Sequence, residues 1–374
     1  MLDNTADTLL YRIALTLIPG VGIANARKLL SLTGSAQAIF TEKKSSLQKI
    51  TGLKETTLNS ITNNKEFLIR AEKECNFIER NNIRPYFFTD SDYPVRLKQC
   101  VDCPIILYAK GNANFDTQYI VSIVGTRKAT DYGKEVCKSL ITGLANMEVL
   151  VVSGLAYGID TAAHRNALES GLATVGVLAH GLDRVYPDVN ANLAHRMLEK
   201  GGLVTEFMSN TNPDRENFPM RNRIIAGLSD ATIVVEAGPK GGALITADIA
   251  NSYNRDVFAV PGRVSDIFSA GCTNLIKTNM AALVEKPEDI LYIMGWDKEK
   301  KPKASVQQKL FLQLEPHQEA LYNILQKNGE CSIDKLCYES NLNTGQVASA
   351  LLSLEFEGLV KSLPGKMYKI NQKL

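Results

Sequence analysis

Between residues 119 and 296 the chain alternates short β-branched apolar runs with stretches of helix length, and this alternation restricts the fold more than any other feature. The strand candidates are residues 119–124, 149–152, 173–178, 203–205, 231–235 and 257–260. Runs this continuously apolar need cover on both faces. Residues 132–147, 159–170, 190–200 and 243–253 supply it as helices between the strands. Right-handed crossovers then give an α/β fold, a Rossmann-like, doubly wound and mostly parallel sheet. Two further apolar runs, 85–88 and 105–108, extend the same domain on its N-terminal side.

What flanks the alternation reads differently. From residue 9 to about residue 80 the pattern is helical, broken by the turns Ile18-Pro-Gly-Val-Gly22 and Ile50-Thr-Gly-Leu53. The first has the form of a helix-hairpin-helix (SAM-like) loop, whose glycines let backbone N–H groups approach a phosphate; a plain tight interhelical turn fits it as well. After Trp296 comes Asp-Lys-Glu-Lys-Lys-Pro-Lys303, the composition of a solvated linker. Helical stretches at 316–327, 333–340 and 344–358 follow, then a hairpin-like pair around Pro364-Gly365, which is the order of a winged helix. The expected domains are thus 1–80 (N-terminal helical), 81–296 (Rossmann-like), 297–310 (linker) and 311–374 (winged helix).

Composition narrows the function. A chain of 374 residues exceeds what one core organises. No stretch offers the roughly 18 apolar residues of a membrane helix, and the first residues do not read as a secretory signal, so a cytoplasmic protein without membrane contact is expected. Seven cysteines, an odd number scattered along the chain, suit reduced thiols, and the lone Cys100/Cys103 pair lacks a second pair for zinc. The histidines, His164, His180, His195 and His317, have no metal-ligand spacing, and no metal or cofactor is expected. A net charge of +2 means that a polyanion must be met by a local basic site.

Such a site belongs at the carboxyl ends of the strands, where glycine turns and helix N-termini offer N–H groups to anions. Gly125-Thr126-Arg127 falls there, with a close-approach glycine, a hydroxyl and a guanidinium able to fork a phosphate. Ser153-Gly154, Gly181-Leu-Asp183 and Gly238-Pro-Lys240-Gly241-Gly242 repeat the theme at other strand ends. Taken singly, each glycine could equally serve strand-to-helix packing; four together favour a polyanion. The segment after Glu206, read as a loop, holds Arg215, Phe218, Arg221 and Arg223, cations around one aromatic, which is what a single-strand channel needs. Phe218 as a buried anchor, and Arg223 as a structural residue, are the competing readings. No Gly-Lys-Ser/Thr phosphate loop and no GxGxxG opening a helix occurs, so no nucleotide-enzyme motif is complete.

Several blocks together resemble the DNA processing protein A family (DprA, also called Smf). They are Val124-Gly-Thr-Arg127 with Tyr132-Gly133, Ser153-Gly-Leu-Ala-Tyr-Gly-Ile-Asp160 with Ala163-His164, and Gly181-Leu-Asp183 with Tyr186-Pro187. Phe218-Pro-Met-Arg-Asn-Arg-Ile-Ile-Ala-Gly-Leu-Ser229, Val235-Glu-Ala237, Leu244-Ile-Thr-Ala247 and Val257-Phe-Ala-Val-Pro-Gly262 complete them, over about 180 residues in unbroken order. The resemblance implies a non-enzymatic, usually dimeric binder of single-stranded DNA that protects incoming DNA and loads the RecA recombinase onto it during natural transformation. It implies that Arg127 contacts phosphate, Phe218 a base, and Arg215 the strand. Thr126 stands where serine is common in the family, His180 where a smaller residue is usual, and Gly241 where serine precedes Gly242. The rival is an enzyme, since phosphoribohydrolases of nucleoside monophosphates have a similar Rossmann variant. Their Pro-Gly-Gly-x-Gly-Thr-x-x-Glu run is not matched by Pro239-Lys-Gly-Gly-Ala-Leu-Ile-Thr, which lacks the carboxylate in register.

Overall fold

The computed structural model describes residues 3–50, 52–296, 314–363 and 365–371; the 297–310 linker and Pro364 lie outside these. The chain falls into two compact units, 1–297 and 298–374.

The first unit opens with six helices, α1 (Asp3–Leu17), α2 (Ile23–Thr33), α3 (Ala36–Thr41), α4 (Lys44–Leu47), α5 (Glu55–Thr62) and α6 (Lys65–Arg80). The Ile18–Gly22 turn separates α1 from α2 and is tied from a distance, Thr57 Oγ1 donating to the Pro19 carbonyl at 2.9 Å. The sheet follows as β1 (Arg84–Phe87), helix α7 (Val95–Lys98), β2 (Ile106–Gly111), β3 (Tyr119–Gly125), α8 (Asp131–Leu144), β4 (Val149–Ser153), α9 (Ile159–Glu169) and β5 (Thr174–Val177). It continues through α10 (Ala191–Met197), β6 (Gly202–Thr205), α11 (Asn217–Leu228), β7 (Ala231–Glu236), α12 (Gly242–Ser252), β8 (Asp256–Ala259), α13 (Ala270–Lys277), β9 (Ala282–Leu283) and α14 (Pro287–Ile293).

The nine strands lie in the order β1-β2-β6-β5-β4-β3-β7-β8-β9. Strands β3 to β9 pair in parallel, and the β1–β2 and β2–β6 pairings at one edge are antiparallel. Doubly wound and mostly parallel, as the alternation predicts, the sheet buries successive side chains on opposite faces. Ile120, Val124, Leu150 and Val152 point into one core with Ile224 and Ile225 of α11. Val121, Ile123, Val149 and Val151 point into the other with Leu140 and Ile141 of α8. Ile13, Leu15, Leu29 and Ile78 of the N-terminal helices belong to the first of these cores. Residues 1–80 and 81–296, read from the sequence as two domains, therefore share packing within one compact unit.

Two elements differ from the sequence reading. Residues 217–228, read as part of a loop, form α11; Arg221 to Leu228, Arg223 aside, are buried, so the helix shows no polar face to betray its period. The two-residue strand β9 ends the sheet and is too short to signal itself.

The second unit comprises α15 (Pro316–Asn328), β10 (Glu330–Ser332), α16 (Ile333–Ser340), α17 (Thr344–Phe356), β11 (Val360–Leu363) and β12 (Met367–Ile370). Its strands pair as β10-β12-β11 over a core of Leu321, Leu325, Leu336, Val347, Leu351 and Leu354, which is a winged-helix arrangement. Among the described residues no helix is long and apolar enough to cross a membrane.

Candidate nucleic-acid interface

After β6 the chain returns to place β7 beside β3, so the strand order reverses between β3 and β4 on one side and β7 on the other. The crevice at the carboxyl ends of such strands is where doubly wound folds take ligands. Here it is a cavity of about 250 Å3, lined by Gly125, Thr126 and Arg127 after β3, Gly238 and Lys240 after β7, Gly241 and Gly242 at the start of α12, and Phe218 and Arg221 of α11. Eight of the ten candidate residues thus meet in one place. Gly154 lines a small neighbouring cavity with Arg127, Tyr157, His180, Tyr186 and Phe218. Arg215, exposed just before α11, lines neither.

Backbone groups line the cavity as much as side chains do. Helix α12 starts at Gly242 with no side-chain cap, so its first N–H groups face the cavity. A Cβ on Gly241 would meet nothing within 4 Å, so the fold itself does not demand glycine there; the missing side chain leaves room for a ligand. The loop after β3 is tied by Thr126 N to the Glu236 carbonyl (2.7 Å) and by Ile159 N to the Thr126 carbonyl (3.2 Å). Thr126 Oγ1 accepts from Lys128 N (3.1 Å) and keeps its own proton to donate. Gly158 packs against this loop with φ of +77°, a conformation costly for any other residue.

Arg127 and Lys240 are exposed, and neither has an ion-pair partner among the described residues. The Arg127 guanidinium lies 5.1 Å from the centre of the Phe218 ring, and Tyr186 meets that ring edge-on at 6.2 Å. Phe218 is half-buried, neither a sunk anchor nor a free surface ring.

Arg221 has a different position. It is 4% exposed and donates from one nitrogen to the carbonyls of Gly154 (2.6 Å) and Val177, joining the ends of β4 and β5. Burial pulls its guanidinium down to about 10, with Asp160 opposing the fall and Arg127 adding to it. Burial raises the Asp160 carboxyl against the pull of Arg221 and of the Ala156 N–H. Gly154 is glycine because a Cβ would lie 2.5 Å from that guanidinium, and a Cβ on Gly125 would lie 2.5 Å from Ile159. Arg223 is also used by the fold, bonding Glu206 and the Asp102 carbonyl. Glu236, fully buried, accepts from Thr130 N (2.9 Å) and Oγ1 (2.7 Å), securing the start of α8 instead of facing the cavity.

One contributor leaves no sequence signal. Glu74 of α6, 2% exposed, accepts from Ser209 N (2.9 Å) and Oγ (2.6 Å), and Arg70 donates to the Ser209 carbonyl (2.6 Å). The N-terminal helices thereby hold the segment that leads to Arg215 and Phe218. His180 and His164 are both buried, each with Nε2 unpartnered among the described residues, and burial pulls both down, His164 to about 3. Cys100 and Cys103 are buried free thiols.

The fold and the cavity define an α/β protein with a crevice at its strand ends and an appended winged helix. The sequence profile of the family described as DNA recombination-mediator protein A matches residues 84–295, and that of the DprA winged helix domain matches 306–366. A putative DNA processing protein DprA of Mycobacterium tuberculosis is 37% identical over 315 residues, 79% of each chain. The DNA processing protein DprA of Streptococcus pneumoniae is 41% identical over 202 residues, 54% of this chain and 71% of the relative. The solved structure of the Streptococcus pneumoniae protein superposes with a TM-score of 0.65 at 32% identity, covering 76% of this chain and 97% of that one. DNA processing protein A from Helicobacter pylori, solved for its single-stranded DNA binding mode, gives 0.52 at 28% identity, covering 57% and 96%. The chain belongs to the DNA recombination-mediator protein A (DprA/Smf) family.

Proposed function

We propose that this chain binds single-stranded DNA in the β3/β7 crevice and passes it to a RecA recombinase in recombination of incoming DNA. The observation that carries the reading is the pairing of unneutralised cations, Arg127 and Lys240, with a half-buried aromatic, Phe218, around the uncapped start of α12. Charge and N–H groups serve phosphates, and a flat ring serves any base, which suits a strand bound without regard to sequence. Thr126, Gly241 and Gly242 admit the backbone closely, and exposed Arg215 meets the strand as it leaves. Gly125, Gly154 and Arg221 shape the crevice. The single-strand binding of the Helicobacter pylori relative supports this assignment, and the family's description as a recombination mediator supports a recombinase as the receiver. Hydrolysis is not part of the reading: Asp160 is buried and accepts from the Ala156 N–H, and Glu236 is engaged by Thr130. A second copy is the expected partner, as the resemblance to a usually dimeric family implies; sedimentation of the purified chain as a monomer would refute it.

The test is binding of labelled oligonucleotides, single against double stranded, over a salt series. Single strands should bind more tightly, with log affinity falling linearly against log salt by roughly 0.7 per neutralised phosphate. Equal or tighter binding of duplex would sink the proposal. The winged helix is expected to be an accessory, since α17, the helix placed as a duplex reader would be, carries no lysine or arginine. A chain ending at Lys301 should keep single-strand affinity within about threefold, well inside the loss of one phosphate contact or stacked base; abolished binding would move the site to the second unit.

A further inference from the structure

We infer that the strand runs on from the crevice into a second subsite, the groove between α8 and α9, so that the binding track is longer than the β3/β7 cavity; this rests on the single-strand reading above. The groove is a cavity of about 500 Å3 lined by Lys134, Lys138, Tyr157 and Arg165, with Glu135 and Glu169 among its walls. It adjoins the crevice region at Tyr157. That residue lines both the groove and the small cavity that contains Arg127, Tyr186 and Phe218. Gly158, the next residue, lines the groove and packs on the Thr126–Arg127 backbone.

The chemistry of the groove repeats that of the crevice. Tyr157 is 48% exposed and Tyr186 42%, so with Phe218 they offer three successive aromatic faces or edges from the crevice outward. Lys138 and Arg165 are exposed and have no ion-pair partner among the described residues; Lys134 pairs with exposed Asp131 at 3.0 Å. Unpaired cations beside stackable rings are what a non-specific single-strand track requires. A protein surface partner would favour charge matched to Glu135 and Glu169 as well, whereas a polyphosphate strand is opposed by those two carboxylates. Their removal therefore distinguishes the occupants.

The experiment measures affinity of the full chain for oligothymidylates stepped in length from about 4 to about 16 nucleotides, a range over which single-strand sites vary, each over a salt series. For the wild type, affinity should rise with length beyond what the crevice holds. In Lys138→Ala/Arg165→Ala this gain should vanish, the shortest bound oligonucleotide should be unaffected, and the salt slope for long ones should flatten by about 1.4, two phosphates at 0.7 each. Tyr157→Ala should weaken long oligonucleotides by roughly fivefold or more with the slope unchanged. Glu135→Gln/Glu169→Gln should tighten them. All substituted side chains are exposed, and unchanged melting confirms the fold. The inference is overturned if the cation variant leaves long and short binding untouched, or weakens both equally, or if removing the carboxylates loosens binding. If wild-type chain binds no oligonucleotide of any length, the single-strand reading itself fails and takes this extension with it.

Discussion

Arg221→Met is expected to lower unfolding stability by about 2–5 kcal/mol, because two buried carbonyls lose their donor at roughly 1–3 kcal/mol each, and the melting temperature by on the order of 10 °C. The Gly154 and Val177 carbonyls lose their shared donor, and Asp160, 7% exposed, loses the nearby positive charge that favours its ionised form. Methionine fills the volume without supplying either, so the loss is electrostatic and not a cavity effect. Calorimetry of the variant checks the size. A second substitution separates causes: Asp160→Asn in the Arg221→Met background should recover part of the loss, because the stranded charge is gone while the carbonyls stay unpaired. Arg221→Lys should fall between, since one ammonium cannot reproduce a planar guanidinium. A variant with wild-type melting and abolished DNA binding would overturn this account and return Arg221 to the interface.

The position of Arg221 shows where sequence reasoning stops. The sheet is legible because strands covered on both faces must be apolar throughout, and runs such as 119–124 and 149–152 match β3 and β4 to within a residue. The crevice is legible because glycine turns follow those strands. What the sequence does not reveal is which cations are already spent. Arg215, Arg221 and Arg223 look alike in a polar run, yet only Arg215 is free of the fold; Arg221 bonds strand-end carbonyls and Arg223 bonds Glu206. Those partners lie 17 to 121 positions away in the chain, beyond the reach of a local pattern. The Glu74–Ser209 tether is invisible for the same reason, spanning the 135 positions between α6 and the chain after β6. Phe218 is the opposite case: the sequence reading set a base-contacting ring against a buried anchor, and the ring is half-buried.

Arg127→Ala and Phe218→Ala are expected to weaken single-strand binding through different physics, and the structure adds that they should do so non-additively. Losing Arg127 removes one neutralised phosphate, so binding of every sequence should weaken and the salt slope should flatten by roughly 0.7. Losing Phe218 removes a stacking face worth about 1–3 kcal/mol, with the slope nearly unchanged because stacking releases no counterion. The two side chains touch, however, with the guanidinium 5.1 Å from the ring centre. In the free protein that cation–π contact orients Arg127 and partly covers the ring. Phe218→Ala therefore also loosens Arg127, and the double variant should lose less than the sum of the singles, by about 0.5–3 kcal/mol as contacting residues do. Arg127 is exposed and Phe218 half-buried, so circular dichroism and melting should stay near wild type. A double-mutant cycle at two salt concentrations reads all three quantities. Strict additivity would mean that the contact has no part in binding; normal folding with neither single variant weakened would place the DNA elsewhere; and unfolding by Phe218→Ala would make the ring an anchor of α11 instead of a platform for a base.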